Sequence, residues 1–182
     1  MKQGLTIRQL LESDLYQGLL QHFNRYQEVK RALRRENGEW VLKDVVFTEE
    51  WDEALKQEIV DVDIANCLKS GGFAWGIWNN ENQLIAFACL LPDFFGSRGQ
   101  YLQLSQIHVS SDYRNMGIGK ELFRASAQKA KAMGAEKLYI STHSAEESQH
   151  FYEGIGCVDA VEVNEALAEK EPYDRQMEFD LT

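Results

Sequence analysis

The apolar positions change period several times along the first seventy residues. Leu5 and Ile7 alternate with Thr6 and Arg8, the pattern of a half-buried strand. Ser13 or Asp14 then stands where a helix cap belongs. Leu15, Leu19, Leu20 and Phe23 recur at i, i+4, i+5 and i+8, which predicts a helix running toward Val29. Asn37-Gly38 signals a hairpin-type turn, followed by Trp40-Val41-Leu42 and Val45-Val46-Phe47. Thr48, Trp51, Leu55, Ile59, Val62 and Leu68 predict a second helix, stopped by Ser70-Gly71-Gly72.

From Phe73 onward the pattern is simpler. Strands are expected from Phe73 to Trp78 and Leu84 to Leu91, joined as a hairpin by Asn79-Asn80-Glu81-Asn82, whose side chains tolerate left-handed turns. Pro92 ends the second strand, and Tyr101 to Val109 supplies a third. After Gly117, the stripe Leu122, Phe123, Ala127 and Ala130 predicts a helix ending at Met133-Gly134. Leu138-Tyr139-Ile140 then reads as a strand parallel to its predecessor, because a helix connects the two. Ser144-Ala145-Glu146-Glu147 has the form of a capping box, so a helix is expected through Phe151-Tyr152 to Gly154 or Gly156. Val158 to Val163 and Arg175 to Leu181 close the chain as strands. The predicted order, β-α-α-β-β-β-α-β-α-β-β, describes a single α+β domain over 1–182 with no internal repeat or long linker.

Composition narrows the chemistry. Nineteen basic against twenty-nine acidic residues leave a formal charge of −10, which repels nucleic acid and attracts cations. The run Lys30-Arg31-Ala32-Leu33-Arg34-Arg35 reads as the solvated end of the first helix rather than a phosphate site. Cys67, Cys89 and Cys157 are odd in number and lie among apolar neighbours, as expected of buried thiols in a reducing, cytoplasmic setting. The start, Met1 to Arg8, lacks the apolar stretch of a leader, and the longest apolar run, Leu84 to Leu91, is too short to cross a bilayer. No membrane role is expected, and a homodimer is left open.

The segment with the most chemistry is Ile107 to Phe123. Gly117 and Gly119 remove two Cβ atoms where a helix begins, so an anion can approach N–H groups that lack intrahelical partners. A Walker A loop would need Gly in place of Arg114 and Ser or Thr in place of Glu121; a dinucleotide fingerprint would need Gly in place of Leu122. Arg114-x-x-Gly117-x-Gly119 after the strand end Ile107-His108-Val109 instead resembles the pyrophosphate loop of the GNAT N-acetyltransferase superfamily. The superfamily's second signature has a counterpart in Phe151-Tyr152-Glu153-Gly154-Ile155-Gly156-Cys157, and the element order is similar over nearly the whole chain.

The resemblance implies a three-layer sandwich with a mixed sheet of about seven strands, and acetyl-CoA as cosubstrate. It implies that the backbone of Ile107, His108 and Val109 pairs with the pantetheine arm as an added strand. It also implies that Arg114 and the N–H groups of Asn115, Met116, Gly117, Ile118, Gly119 and Lys120 hold the pyrophosphate. Where many relatives carry Asn, this chain has Ala145, so Ser144 or Ser148 is expected to replace that contact. Tyr152 would protonate the leaving thiolate. Relatives place a base on the strand before the loop, but Gln103, Ser105 and Gln106 cannot titrate. His108, Glu147 and a water relay remain as bases. His22, His143 and His150 make no metal-ligand spacing, and no metal is expected.

The acidic balance, with Glu169, Glu171 and Asp174 before the last strand, points to a cationic small-molecule acceptor bearing a primary amine. Protein or peptide amines are the enzymatic alternative. A non-catalytic acyl-CoA-binding module is the alternative of a different class.

Overall fold

The computed structural model describes residues 4–182; Met1 to Gln3, part of the start read above, lie outside the described residues. Seven strands form the main sheet: β1 (Thr6–Leu10), β4 (Phe73–Trp78), β5 (Leu84–Leu90), β6 (Tyr101–Val109), β7 (Lys137–Thr142), β8 (Val158–Asp159) and β9 (Arg175–Asp180). Their spatial order is β1-β4-β5-β6-β7-β9-β8. Every pairing is antiparallel except β6 with β7, which the helix α3 (Ile118–Met133) connects.

Apolar side chains leave both faces of this sheet. Leu102, Leu104, Leu138 and Ile140 meet Leu122, Phe123 and Ala130 of α3 on one face. On the other, Ala74, Phe87 and Cys89 meet Ile59, Val60, Ile64 and Cys67 of a long helical segment. That segment runs from α1 (Glu53–Glu58) through a π-helical stretch, Ile59–Ile64, into α2 (Ala65–Lys69). All three cysteines are free and buried. Among the described residues, no helix is long and apolar enough to cross a membrane.

The first predicted helix does not form. A short 3₁₀ turn, Glu12–Asp14, is followed by separate turns in which Gly18, at φ +88°, takes a left-handed conformation that ends any helix. Leu19, Leu20 and Phe23 are buried all the same, by turns closed from Leu19 N–H to the Tyr16 carbonyl (3.1 Å) and from Phe23 N–H to the Leu20 carbonyl (2.9 Å). In place of the helix the chain builds a separate two-stranded sheet, β2 (Gln27–Glu36) with β3 (Glu39–Glu49), turned by Asn37 and Gly38 at φ 50° and 86°. The basic run therefore lies on a strand, where Arg31 pairs with Glu146 at 2.9 Å. Thr48 belongs to β3 and not to the second helix, which starts later with Asp52 accepting from Leu55 N–H at 2.8 Å.

Two further expectations are corrected near the C-terminus. The helix α4 (Glu146–Gly154) begins at Ala145 without a side-chain cap, because the Ser144 hydroxyl accepts from Arg34 at 3.1 Å instead of capping. Val158–Val163 shortens to the two-residue β8, and a helix, α5 (Glu165–Lys170), forms between the two closing strands. Asn164 caps it, accepting from Leu167 N–H at 3.2 Å.

Candidate functional site

β6 and β7 pair only at 101–103 and 137–139. Beyond that point β7 stays bonded to β9 as far as Thr142, while β6 continues against β5 alone. The two parallel strands thus splay, leaving the second half of β6 with one backbone edge unpaired. A half-buried edge of this kind has backbone groups free to bond, and an extended amide-bearing ligand can supply the partners. A cleft of about 710 Å³ opens along it.

The floor of the cleft is the turn from β6 into α3. Asn115 at φ 58° and Gly117 at φ 82° are both left-handed, so the backbone curls and turns N–H groups inward. Gly117 is the N-cap and brings no side-chain acceptor; the first helical bond runs from Glu121 N–H to the Gly117 carbonyl at 3.1 Å. The N–H groups of Ile118, Gly119 and Lys120 precede it and are available to an anion at the positive end of a 16-residue helix. Arg114 stands half-buried beside them with Nε donating to the Val109 carbonyl at 3.3 Å; burial pushes its pKa down, and Glu147 opposes the shift. Gly119 has a packing role as well, since a Cβ there would lie 3.1 Å from the Phe151 ring.

Of the expected residues, Ile107, His108, Val109, Arg114, Asn115, Gly117, Ile118, Gly119, Lys120, Ser148 and Tyr152 line the cleft. Met116 does not line it; its side chain packs against the main core. Ser144 does not line it either, being turned to Arg34, and this removes it as a replacement for the missing Asn. Tyr152 is buried, with its ring edge-on to Phe123 and Phe151. Burial pushes its pKa up, with smaller contributions from Cys157 and Asp174, so the phenol keeps its proton at neutral pH.

The three base candidates are arranged differently. His108 packs its ring against Trp51 at 4.7 Å and Phe87 at 5.4 Å, and its Nε2 lies 2.7 Å from the Gln106 side-chain oxygen. Burial, followed by the charges of Arg25, Arg114 and His143, pushes its pKa down to about 3. An imidazole this weakly basic cannot hold a proton at neutral pH. Glu147 lies in the cleft wall with its carboxylate 3.5 Å from the Gln27 amide. Water can reach the same wall.

Arg25, Gln27, Tyr113, His150 and Phe151 also line the cleft and were missed in the sequence. Arg25 and Gln27 arrive with β2, which is tied down just before its start by Ser111 N–H to the Asn24 carbonyl (2.7 Å) and in its second half by Leu33 N–H to the Ser144 carbonyl (2.8 Å). Arg25 is held by Glu49 at 3.2 Å and by Gln27 at 3.0 Å. No short-range pattern marks such contacts, although Phe151 lay within the second motif. Among the described residues, no group of three or more His, Cys, Asp or Glu side chains is placed to hold a metal ion.

The chain is similar in structure to proteins of known fold. Nourseothricin acetyltransferase superposes with a TM-score of 0.72 at 15% identity, covering 98% of this chain and 99% of that one. A putative streptothricin acetyltransferase from Bacillus anthracis, solved with acetyl coenzyme A, gives 0.69 at 20% identity over 98% and 96%. An aminoglycoside 6′-N-acetyltransferase complexed with coenzyme A gives 0.54 at 14% identity over 69% and 81%. No curated protein matches the sequence. The family model of the acetyltransferase (GNAT) family matches residues 19–157, which include the splayed strands, the bare helix N-terminus and Tyr152. The chain therefore belongs to the GNAT acetyltransferase family, enzymes that take their acetyl group from acetyl-CoA.

Proposed function

We propose that this protein transfers the acetyl group of acetyl-CoA to the primary amine of a cationic small molecule, within one catalytic domain spanning 1–182. The observation that carries the reading is the meeting of three features in one cleft: the unpaired edge of β6, the uncapped N-terminus of α3 and the Tyr152 phenol. Acetyl-CoA bound there supplies an activated thioester. The N–H groups of Ile118, Gly119 and Lys120, with Arg114, hold its pyrophosphate, and the free edge at 107–109 aligns its amide-bearing arm. Tyr152, kept protonated by burial, gives its proton to the thiolate as the amine displaces it, and solvent restores that proton. Glu147 or a water on the cleft wall takes the proton the amine loses.

The cationic acceptor is supported by charge. The chain carries −10 overall. Asp174, in the segment before β9, is close enough to Tyr152 and His143 for its charge to act on both. Three buried thiols support a reducing, cytoplasmic setting. The test is a thiol-release screen of amines with acetyl-CoA, followed by a salt series on the best acceptor. A cationic small amine should lead, and its KM should rise as ionic strength shortens the screening length. An anionic best acceptor, a peptide turned over faster than any small amine, or a KM indifferent to salt would overturn the reading.

A further inference from the structure

One polar chain reaches the cleft from the opposite face of the sheet. Asp63 sits on the π-helical stretch Ile59–Ile64, which turns Ile59, Val60 and Ile64 into the core. A π turn takes an extra residue per turn and so re-aims the side chains that follow it; such turns often occur at functional sites. Here it brings the Asp63 carboxylate to the Gln106 side-chain amide, which donates to it at 3.2 Å. The oxygen of the same amide lies 2.7 Å from Nε2 of His108, which lines the cleft.

The proton positions on this chain follow from its chemistry. A carboxylate only accepts, so the nitrogen end of Gln106 must face Asp63 and the oxygen end must face His108. That oxygen also only accepts, so Nε2 of His108 must carry a hydrogen. The ring is neutral, and one tautomer remains, with a bare lone pair on Nδ1. Among the described residues Nδ1 has no hydrogen-bond partner, although one imidazole edge faces Trp51 and Phe87 and leaves little freedom to turn. The charges facing His108 are Arg25 from the strand β2 side and Arg114 and His143 from the loops at the cleft; Lys170 of α5 and Glu58 face Asp63.

We propose that Asp63, through Gln106, fixes His108 as an Nδ1 acceptor that receives an N–H of the acceptor amine and aims its lone pair at the thioester. His108 then touches the substrate, while Asp63 and Gln106 are positioning residues. The inference rests on the acetyl transfer proposed above, yet it assigns no proton removal to His108, which is too weak a base for that step.

The experiment joins two readouts on the full chain. Spectra of protein labelled with ¹⁵N-histidine report the His108 tautomer without any turnover, in wild type and in Asp63→Asn. Asparagine can donate as well as accept, which lets the Gln106 amide turn over. The expected result is a bare Nδ1 in wild type and a mixed tautomer in Asp63→Asn, with kcat down about tenfold and the KM for acetyl-CoA unchanged. His108→Asn, which places an oxygen near the Nδ1 position, should keep more activity than His108→Gln, which places one near Nε2. A protonated Nδ1 in wild type overturns the proposal. So does a tautomer change without loss of kcat, a loss of kcat without tautomer change, or equal activity of the two His108 variants. Absence of wild-type turnover with every amine would instead sink the acetyl-transfer reading and leave the tautomer result standing alone.

Discussion

The two halves of the β6–β7 seam are made by the same strands and do opposite things. In the first half, 101–103 pairs with 137–139, and Tyr101, Leu102, Leu138 and Tyr139 are all buried. The buried polar side chains there have partners inside the protein. Glu178 of β9 accepts from the Tyr101 hydroxyl, from the Lys137 ammonium and from Val161 N–H at 3.0 Å, while Tyr139 donates to Gln176 at 2.8 Å. In the second half the strands part, Ile107, His108 and Val109 are half-buried, and the adjoining helix start has no cap. Hydrogen-bonding capacity that the first half spends on stability is held back in the second for a ligand.

The contrast predicts that changes in the open half impair function and changes in the closed half impair stability. The largest effect is expected at Tyr152. Tyr152→Phe keeps the ring against Phe123 and Phe151 and removes the proton donor. General-acid catalysis is worth about 10²- to 10⁴-fold, so kcat should fall by that order with acetyl-CoA affinity unchanged. Single-turnover acetyl transfer measures it, and an unaltered rate would make Tyr152 a packing residue.

Next in size is Gly119→Val. The branched side chain would crowd both the pyrophosphate position and the Phe151 ring, which a Cβ alone would meet at 3.1 Å. Acetyl-CoA affinity should drop by roughly 10- to 100-fold, since a ligand loses its close approach to several N–H donors. Some stability should go with it. Calorimetric titration beside a melting curve separates the two; wild-type affinity in the folded variant would remove the loop from the binding site.

The closed half should behave in the reverse manner. Tyr101→Phe removes one of the three donors to the buried Glu178 carboxylate, leaving those of Lys137 and Val161, and should cost about 1–3 kcal/mol of stability while acetyl-CoA binding stays as in wild type. Burial alone would raise the Glu178 pKa, but the Lys137 and Tyr101 donors hold it below its ordinary 4.5. A depressed carboxylate contributes stability above that value and loses it as pH falls below 4.5. The acid limb of the wild-type stability curve should therefore be steeper than that of Tyr101→Phe. Denaturant midpoints from pH 7 to pH 3 check it, and parallel curves would dissociate Glu178 from acid lability.

The same contrast explains what the sequence could reveal. Ile107 to Lys120 is strand, loop and helix start in unbroken succession, so the open half's floor was legible as a motif. Tyr152 was legible for a similar reason, lying on one helix with Phe151. The opposite wall was not. Leu15 to Phe23 carries helical spacing, but Gly18 adopts φ +88° and the apolar residues are buried by consecutive turns. β2 hid its own alternation: a register shift between Val29 and Arg31 breaks the period of two, so Val29 and Ala32 both point inward from positions three apart. With the strand concealed, nothing placed Arg25 and Gln27 in the cleft. Ser144 misled in another way, since its spacing to Glu147 fits a capping box while Arg34 from the unrecognised strand β2 takes its hydroxyl.

The central claim is that acetyl-CoA occupies the open half of the seam. Backbone amide spectra of ¹⁵N-labelled protein titrated with acetyl-CoA test it residue by residue. The amides of Ile118, Gly119 and Lys120 should shift most, those of Ile107, His108 and Val109 next, and those of Tyr101, Leu102 and Gln103 should stay in place. Shifts gathered at 101–103, or at the separate hollow beside Trp40 and Asp174, with 118–120 unmoved, would contradict the account.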